Sequence, residues 1–275
     1  MAIIGVPKGV EITHRNYVAN CMQTDYMAQM APDYKAFLQR AVGLSFLPMY
    51  HAYGQTYHCV TTVLKGIPVY LMRKFEFEKM LQYVQRYRVT SLTLVPPIAV
   101  ALTKRSEVNN YDLSSVEAAG CGAAPLSAET IRDFEALFNH RFQLKQGWGM
   151  TEITCSACGW DPNLQSDARL VGELNPNIEA MIVDDEGKEV GAGERGEFLV
   201  RGPNVMKGYW GREEATRETM AEGGWLRTGD IAVRRGDGCL GIVDRKKVSL
   251  ALPVQSSLCV ERGVLQVSLL LRYGR

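Results

Sequence analysis

Residues 75–97 read FEFEKMLQYVQRYRVTSLTLVPP, and this stretch decides the fold class. Its apolar side chains recur three and four residues apart, at Phe77, Met80, Leu81, Val84 and Tyr87. That spacing predicts an amphipathic helix with one buried face. An apolar run of strand length, residues 92–95, follows and should end at Pro96-Pro97, because proline cannot donate a hydrogen bond to a neighbouring strand. A helix followed by a buried strand is typical of a parallel sheet.

The same rhythm extends on both sides of this stretch, from residue 17 to about residue 163. Apolar runs of strand length lie at 41–47, 67–72, 116–119 and 142–145. A second helix is predicted from Ser127, whose hydroxyl would cap the first turn, to Phe138. Alternating strands and helices predict an α/β fold with a doubly wound, largely parallel sheet, which binds ligands at the carboxyl ends of its strands. Residues 1–165 are therefore expected to form an α/β unit.

From about residue 166 the pattern changes to short β-type runs. They lie at 178–183, 197–200, 231–233 and 239–243 and are separated by turn residues. We expect a small antiparallel β-subdomain over residues 166–247, packed on the α/β unit. Residues 248–275 contain one acidic residue and no motif that we can assign, so they are expected to be an atypical tail.

Charge and cysteine content exclude several classes of protein. The 275 residues carry 31 Lys and Arg against 30 Asp and Glu, a net charge of +1, so no nucleic-acid partner is expected. No stretch approaches the roughly 18 consecutive apolar residues of a membrane span. Seven scattered cysteines favour free thiols in a reducing compartment over a disulfide framework. We expect an intracellular protein, and no protein partner can be inferred.

Two residue pairs have spacings that metal sites also use. Cys155 and Cys158 are three residues apart, and His51 and His58 are seven apart. Neither pair has further ligands at a suitable distance along the sequence, so no metal or redox role is expected for them.

The stretch GWGMTE at residues 147–152 follows a predicted strand and carries several groups suited to nucleotide chemistry. Its two glycines permit the close approach of a flat ligand, on which Trp148 could stack. Thr151 offers a hydroxyl to a phosphate, and Glu152 offers a hard oxygen ligand to Mg²⁺. The alternative is a plain glycine turn without a ligand.

Three further stretches are ambiguous when each is taken alone. Lys8, in the loop of residues 5–9, could offer a cation to phosphates, although surface loops of this composition are common. The small residues 122–124 could line a flat base or form a tight strand-to-helix connection, and Pro125 excludes a dinucleotide fingerprint. Asp230, expected at the start of a strand, could accept hydrogen bonds from ribose hydroxyls or form a surface ion pair.

The order of these motifs along the chain resembles that of the adenylate-forming acyl/aryl-CoA synthetases, and most closely their 4-coumarate–CoA ligase branch. The resemblance covers residue 5 to about residue 247. The motifs are, in chain order, PKG at 7–9, PMYHAYG at 48–54, GAAP at 122–125, GWGMTE at 147–152, GE at 196–197, RGP at 201–203, KGYW at 207–210, WLRTGD at 225–230 and DR at 244–245.

The resemblance implies a reaction. Members of this family activate a carboxylic acid with ATP and Mg²⁺, giving an acyl-adenylate and pyrophosphate, and the thiol of coenzyme A then displaces AMP. The implied partner is thus a small-molecule carboxylic acid, and ATP, Mg²⁺ and coenzyme A are the implied cofactors. The acid could be aromatic or fatty, and the compartment could be the cytoplasm or the peroxisome.

The resemblance also implies roles for individual residues. Lys8 would lie near the phosphates, and Thr151 would hydrogen-bond to a phosphate. The rest of the expected nucleotide site comprises Gly122, Ala123 and Ala124 along the adenine, Trp148 stacked on it, and Asp230 and Arg245 at the ribose. Glu152 would hold Mg²⁺. His51 would border the acyl carboxylate, between Tyr50 and Tyr53 of the acyl pocket. The expected catalytic residues are His51, Thr151 and Glu152.

Both ends of the sequence depart from the family pattern. Residues 1–4, Met-Ala-Ile-Ile, stand where the family has glycines and the hydroxyl residues of its phosphate loop, and each lost charge-assisted hydrogen bond costs roughly 1.5–3 kcal/mol. No counterpart of the mobile C-terminal domain, which carries the adenylation lysine, follows Lys247. We therefore expect an incomplete copy of the ligase. A catalytically inactive nucleotide-binding fragment is the alternative.

Overall fold

The computed structural model describes residues 8–246. The departures at residues 1–4, the start of the Lys8 loop, the predicted boundary at Lys247 and the tail of residues 248–275 lie outside the described residues. Between them, the chain forms an α/β fold in which a parallel sheet precedes an antiparallel sheet.

Strands and helices alternate over the first two thirds of the described chain. The strands are β1 (Val10–Glu11), β2 (Gly43–Ser45), β3 (Val69–Leu71), β4 (Ser91–Leu94), β5 (Ala118–Cys121), β6 (Leu144–Gln146), β7 (Cys158–Gly159), β8 (Glu173–Leu174), β9 (Glu179–Val183), β10 (Arg195–Arg201), β11 (Gly208–Tyr209), β12 (Met220–Ala221), β13 (Trp225–Arg234) and β14 (Leu240–Arg245). The α-helices are α1 (His14–Gln29), α2 (Tyr34–Arg40), α3 (Ala52–Gly54), α4 (Thr62–Lys65), α5 (Phe77–Tyr87), α6 (Pro96–Lys104), α7 (Ala128–Leu137) and α8 (Glu213–Thr219). A π-helix, Gln55–Thr61, joins α3 to α4, and 3₁₀ turns cover Ser106–Asn110, Thr151–Ile153 and Glu222–Gly224.

The predicted parallel sheet is confirmed. Its strand order is β3-β2-β4-β5-β6, and all of its neighbouring strands run parallel. The register aligns Leu94 of β4 with Cys121 of β5, and Cys121 with Gln146 of β6. Three strands therefore end at the same level, which is the edge where parallel sheets bind ligands.

The helices of this half follow the sequence pattern closely. The predicted amphipathic helix is α5, which buries Phe77, Met80, Leu81 and Val84. Helix α7 begins after Ser127, whose Oγ accepts a hydrogen bond of 3.1 Å from the Thr130 N–H. Pro96-Pro97 ends the strand, as predicted, and also begins α6, because the first turn of a helix tolerates proline.

The predicted antiparallel strands are also found. Strand order is β12-β13-β10-β9, with β14 on β13, and the neighbouring strands are antiparallel. The expectation that Asp230 begins a strand is wrong. Asp230 is the sixth residue of β13, which starts at Trp225. The strand extends through the polar residues before Asp230 because alternate side chains there, those of Leu226, Thr228 and Asp230, are buried. In the described part of the chain, no helix is long and apolar enough to cross a membrane.

Candidate functional site

The ends of β4, β5 and β6 meet at one edge of the parallel sheet. The Gly122 N–H donates to the Leu94 carbonyl (3.1 Å), and the Gly147 N–H donates to the Cys121 carbonyl (2.9 Å). Gly122 directly follows β5, and Gly147 directly follows β6. Two of the predicted site stretches, residues 122–124 and 147–152, are therefore adjacent in space although they are far apart in sequence.

Residues 147–152 lead from this edge to the antiparallel sheet. Trp148 Nε1 donates to Asp230 Oδ2 (2.8 Å), and Arg245 Nε donates to Asp230 Oδ1 (2.7 Å). The Trp148 ring meets Phe198 of β10 edge-on, with 5.0 Å between ring centroids. The Asp230 carboxylate is buried, with a side-chain exposure of 2%, whereas the Arg245 side chain is 51% exposed. The structure thus joins three of the predicted nucleotide-binding residues in one hydrogen-bonded group.

Glu152, the expected Mg²⁺ ligand, lies at the other end of the same segment. Its Oε1 accepts a hydrogen bond from the Tyr209 hydroxyl (2.7 Å), and its backbone carbonyl accepts one from the Met206 N–H (2.8 Å). Lys8 Nζ lies 4.4 Å from the centroid of the Tyr209 ring. Burial and the adjacent Glu152 carboxylate raise the pKa of Tyr209, so its hydroxyl stays protonated and donates. Tyr209 therefore connects two predicted site residues, Lys8 and Glu152.

The acyl motif packs against the end of β5. An added Cβ at Gly122 would lie 3.4 Å from Tyr53 Cζ, which places the Tyr53 ring on that glycine. His51 Nδ1 accepts a hydrogen bond from the Tyr53 N–H (3.2 Å), and partial burial lowers the pKa of His51. The ring is therefore neutral, with Nδ1 as acceptor, at neutral pH. Tyr50 is 58% exposed.

The small residues after β5 include a strained one. Ala123 has φ +73°, a left-handed conformation that costs a residue with a side chain roughly 1–3 kcal/mol and is concentrated at functional sites. Gly122 is buried, and Ala123 and Ala124 are exposed. This arrangement turns the backbone at the strand end and leaves little side-chain bulk there.

The donors available for a metal fit Mg²⁺ held mainly by phosphates. No group of three or more His, Cys, Asp or Glu able to hold a metal ion occurs among residues 8–246. Mg²⁺ needs only one or two carboxylates beside substrate phosphates and water, so Glu152 with the neighbouring Thr151 hydroxyl suits it. Burial raises the pKa of Cys155 and of Cys158 to about 12, which keeps both as thiols and disfavours soft-metal binding.

The sequence alone predicts no role for two residues that contact the site. Tyr209, which holds Glu152, stands within the KGYW motif of residues 207–210, so the motif was its only signal. Asn204 is fully buried and donates to the carbonyl of Ile153, next to Glu152. Nothing in the local sequence distinguishes this asparagine from an ordinary loop residue, because its partner lies 51 positions away.

Comparison with known proteins finds similarity to AMP-binding enzymes and to 4-coumarate–CoA ligases. The sequence profile described as "AMP-binding enzyme" matches residues 4–210. "Probable 4-coumarate–CoA ligase 3" of Dictyostelium discoideum is 36% identical over 244 residues, and "4-coumarate–CoA ligase-like 6" of Oryza sativa subsp. japonica is 39% identical over 259 residues. Each alignment covers 88% of this chain and 43% of the relative. The chain therefore spans less than half the length of these curated relatives.

A solved structure has the same fold over most of the chain. O-succinylbenzoate coenzyme A synthetase from Bacillus subtilis, in complex with ATP and a magnesium ion, superimposes with a TM-score of 0.75 and 25% sequence identity. The match covers 89% of this chain and 48% of that one.

Proposed function

The chain belongs to the AMP-binding enzymes, in the adenylate-forming acid–CoA ligase family, and we propose that its site binds the adenylate part of ATP. In the reaction proposed for the protein, the carboxylate of an acid attacks the α-phosphorus of ATP and pyrophosphate leaves. The thiol of coenzyme A then displaces AMP to give the thioester. Such a reaction needs positioning and charge neutralisation rather than a protein nucleophile.

One observation carries the proposal. Residues 147–152 begin at the carboxyl ends of the parallel strands, contact Asp230 through Trp148, and contact Tyr209 through Glu152. One short segment therefore gathers small residues for a base, a carboxylate for a ribose, and a carboxylate for a cation. A nucleotide with Mg²⁺ requires these three groups side by side.

We assign the ribose to Asp230. A carboxylate has about four lone-pair positions, so Asp230 can still accept from hydroxyls while it holds the Trp148 indole. The Asp230 carboxylate is buried beside the half-exposed Arg245, and we propose that Arg245 moves aside when a ribose binds. Trp148 would stack on the adenine with a face of its ring.

The phosphates and the cation are assigned to Lys8, Thr151 and Glu152. Mg²⁺, when bound, would neutralise charge that develops on the phosphates. Glu152 is held by Tyr209 and by the Met206 N–H, so its carboxylate is oriented before a cation arrives. Lys8, over the Tyr209 ring, would add a point charge on the same side.

The acid is assigned to the motif that contains Tyr50, His51 and Tyr53. The neutral His51 ring keeps a donor nitrogen for a carboxylate oxygen while Nδ1 accepts from the Tyr53 N–H. The names of the relatives, 4-coumarate–CoA ligases, make an aromatic acid the first class to test. We assign no residue to coenzyme A.

The test is pyrophosphate release by the full chain with ATP, Mg²⁺ and a panel of aryl and fatty acids. Release that requires both ATP and one acid class, and that Glu152→Gln reduces at least about tenfold, is the expected result. Binding of AMP without pyrophosphate release would support the alternative, a nucleotide-binding chain without ligase activity. Folded protein that binds no adenine nucleotide would contradict both.

A further inference from the structure

Helix α1 has its polar side inward. Asn16, Asn20 and Gln23 are buried at positions i, i+4 and i+7 of this helix, and Asn20 is 0% exposed. Met22 and Tyr26 on another face are 57% and 59% exposed. Burial of amides is costly unless each finds a hydrogen-bond partner, so the partners of this face indicate what the helix holds.

One of these amides, Asn20, shares its backbone carbonyl acceptor with two asparagines from outside the helix, whereas Asn16 donates to Pro203 O and Val205 O and Gln23 donates to Pro176 O. Ser156 O accepts from Asn20 Nδ2 (2.6 Å), Asn204 Nδ2 (3.1 Å) and Asn175 Nδ2 (3.3 Å). The Ser156 N–H also donates to Asn20 Oδ1 (3.2 Å). Three asparagines from three separate parts of the chain thus hold a single carbonyl group, four residues after Glu152.

The carbonyl that they hold lies directly after a strained turn. Thr154 has φ +68° and ψ −56°, and the Cys155 N–H donates to the Ile153 carbonyl (2.8 Å), which is the geometry of a γ-turn. This form of γ-turn is rare and strained for a residue with a side chain. Asn204 stabilises it twice, since its side-chain Nδ2 donates to Ile153 O (3.0 Å) and its backbone carbonyl accepts from Thr154 Oγ1 (2.8 Å).

The γ-turn contacts the segment of residues 147–152, which contains the proposed nucleotide ligands. A Cβ added to Gly149 would lie 1.6 Å from the Cys155 carbonyl oxygen, so the backbones at these two positions are in close contact. Glu152 lies between Gly149 and the turn, in the 3₁₀ turn Thr151–Ile153. A shift of the γ-turn would therefore move Glu152 with it.

We propose that Asn20, Asn175 and Asn204 are positioning residues that aim the Glu152 carboxylate at the cation of the nucleotide. Asn204 holds the γ-turn at Thr154, and all three hold the Ser156 carbonyl directly after it. This inference rests on the proposed function. The asparagines touch neither the nucleotide nor the cation in this account, and their effect passes through the backbone of residues 153–156.

The test measures the Mg²⁺ concentration needed for half-maximal ATP binding, with metal-free AMP binding as a second readout, on the full chain without an acid. The variants are Asn204→Ala and Asn20→Ala, which remove two amides that donate to the Ser156 carbonyl from separate parts of the chain. Thr154→Ala removes only the hydrogen bond from the Thr154 hydroxyl to the Asn204 backbone carbonyl. It replaces an asparagine variant that does not fold. Thr90→Ala is the matched control, because Thr90 is a buried residue that bonds to Val42 at the other end of the parallel strands.

We expect the asparagine variants to need about 10- to 100-fold more Mg²⁺, the range found for residues that orient metal ligands, while metal-free AMP binding is retained. Thr90→Ala should lose stability without a change in the Mg²⁺ requirement. An unchanged Mg²⁺ requirement in the folded variants, or an equal loss of AMP and ATP binding, would overturn the inference and leave the proposed function standing. A wild-type chain that binds neither nucleotide would overturn the proposed function, and the inference with it.

Discussion

The two walls of the candidate site are built from different interactions. The strand-end wall, Gly122 and Gly147, is held by backbone hydrogen bonds to Leu94 and Cys121. The side-chain wall consists of Trp148, Glu152, Tyr209, Asp230 and Arg245, which are held by side-chain hydrogen bonds between distant parts of the chain. Backbone donors are present at every residue except proline, whereas a side-chain contact needs one residue type. The strand-end wall should therefore be sensitive to shape, and the side-chain wall to chemistry.

The largest effect is expected at Gly149, between Trp148 and Glu152 of the side-chain wall. A Cβ there would lie 1.6 Å from the Cys155 carbonyl oxygen, and the turn cannot move without breaking the asparagine contacts. Gly149→Ala should lower the free energy of unfolding by about 3 kcal/mol, measured by urea denaturation. Gly147→Ala is the control, because no atom lies within 4 Å of its added Cβ. Equal stability of the two variants would refute the close contact.

A pH dependence is expected from the π-helix, Gln55–Thr61, which follows α3. His58 is 9% exposed, neither of its ring nitrogens has a hydrogen-bond partner in the described chain, and burial lowers its pKa from 6.5 to about 4. The unfolded chain therefore binds this proton more tightly than the folded one. The stability from neutral His58 is complete above pH 6.5 and is lost as the pH falls toward 4, by up to about 3 kcal/mol.

The measurement is urea denaturation of wild type and His58→Phe between about pH 7 and pH 4.5. The variant should lose less stability than wild type over this interval, because phenylalanine fills the site without a titrating group. Parallel stability curves for the two proteins would rule out His58 as the cause.

A smaller effect tests the chemistry of the side-chain wall. Trp148→Phe removes the indole donor to the buried Asp230 carboxylate and should cost about 2 kcal/mol in the free energy of unfolding, since bonds to charged groups are the stronger ones. Trp160→Phe is the matched variant, because Trp160 Nε1 donates to the neutral Gln146 backbone carbonyl (2.7 Å). This substitution should lower the free energy of unfolding by about 1 kcal/mol. Thermal denaturation of both variants gives the comparison. A larger loss at Trp160 would reverse the ranking.

The smallest effect concerns a helix behind the strand-end wall. Ser127→Ala removes the cap of α7 and should lower the free energy of unfolding by about 1 kcal/mol, and Ser127→Gly by only a few tenths. Neither substitution should alter nucleotide binding, because the cap contacts no residue of either wall. A change in AMP affinity in a folded Ser127→Ala protein would show that the strand-end wall depends on more than its backbone.

The sequence predicts the strand-end wall better than the side-chain wall, and the reason is physical. Local periodicity identifies α5 and β4, and Ser127 identifies the start of α7, because their signals lie within a few residues. Helix α1 escapes prediction because three of its five buried residues are polar, which obscures the usual apolar spacing. The motifs supplied Trp148, Glu152 and Asp230, but the contacts of Tyr209 with Glu152 and of Asn204 with the γ-turn depend on tertiary structure alone.

The central claim, that both walls grip one adenine nucleotide, is tested most directly by calorimetric titration of AMP into the wild-type chain and Asp230→Asn. The substitution keeps the size of the side chain and removes the charge that faces Trp148 and Arg245. Saturable AMP binding to wild type, weakened at least about tenfold in a variant that is equally folded, is the result that we predict. Equal affinity of the two proteins, or no binding by folded wild type, would contradict the account.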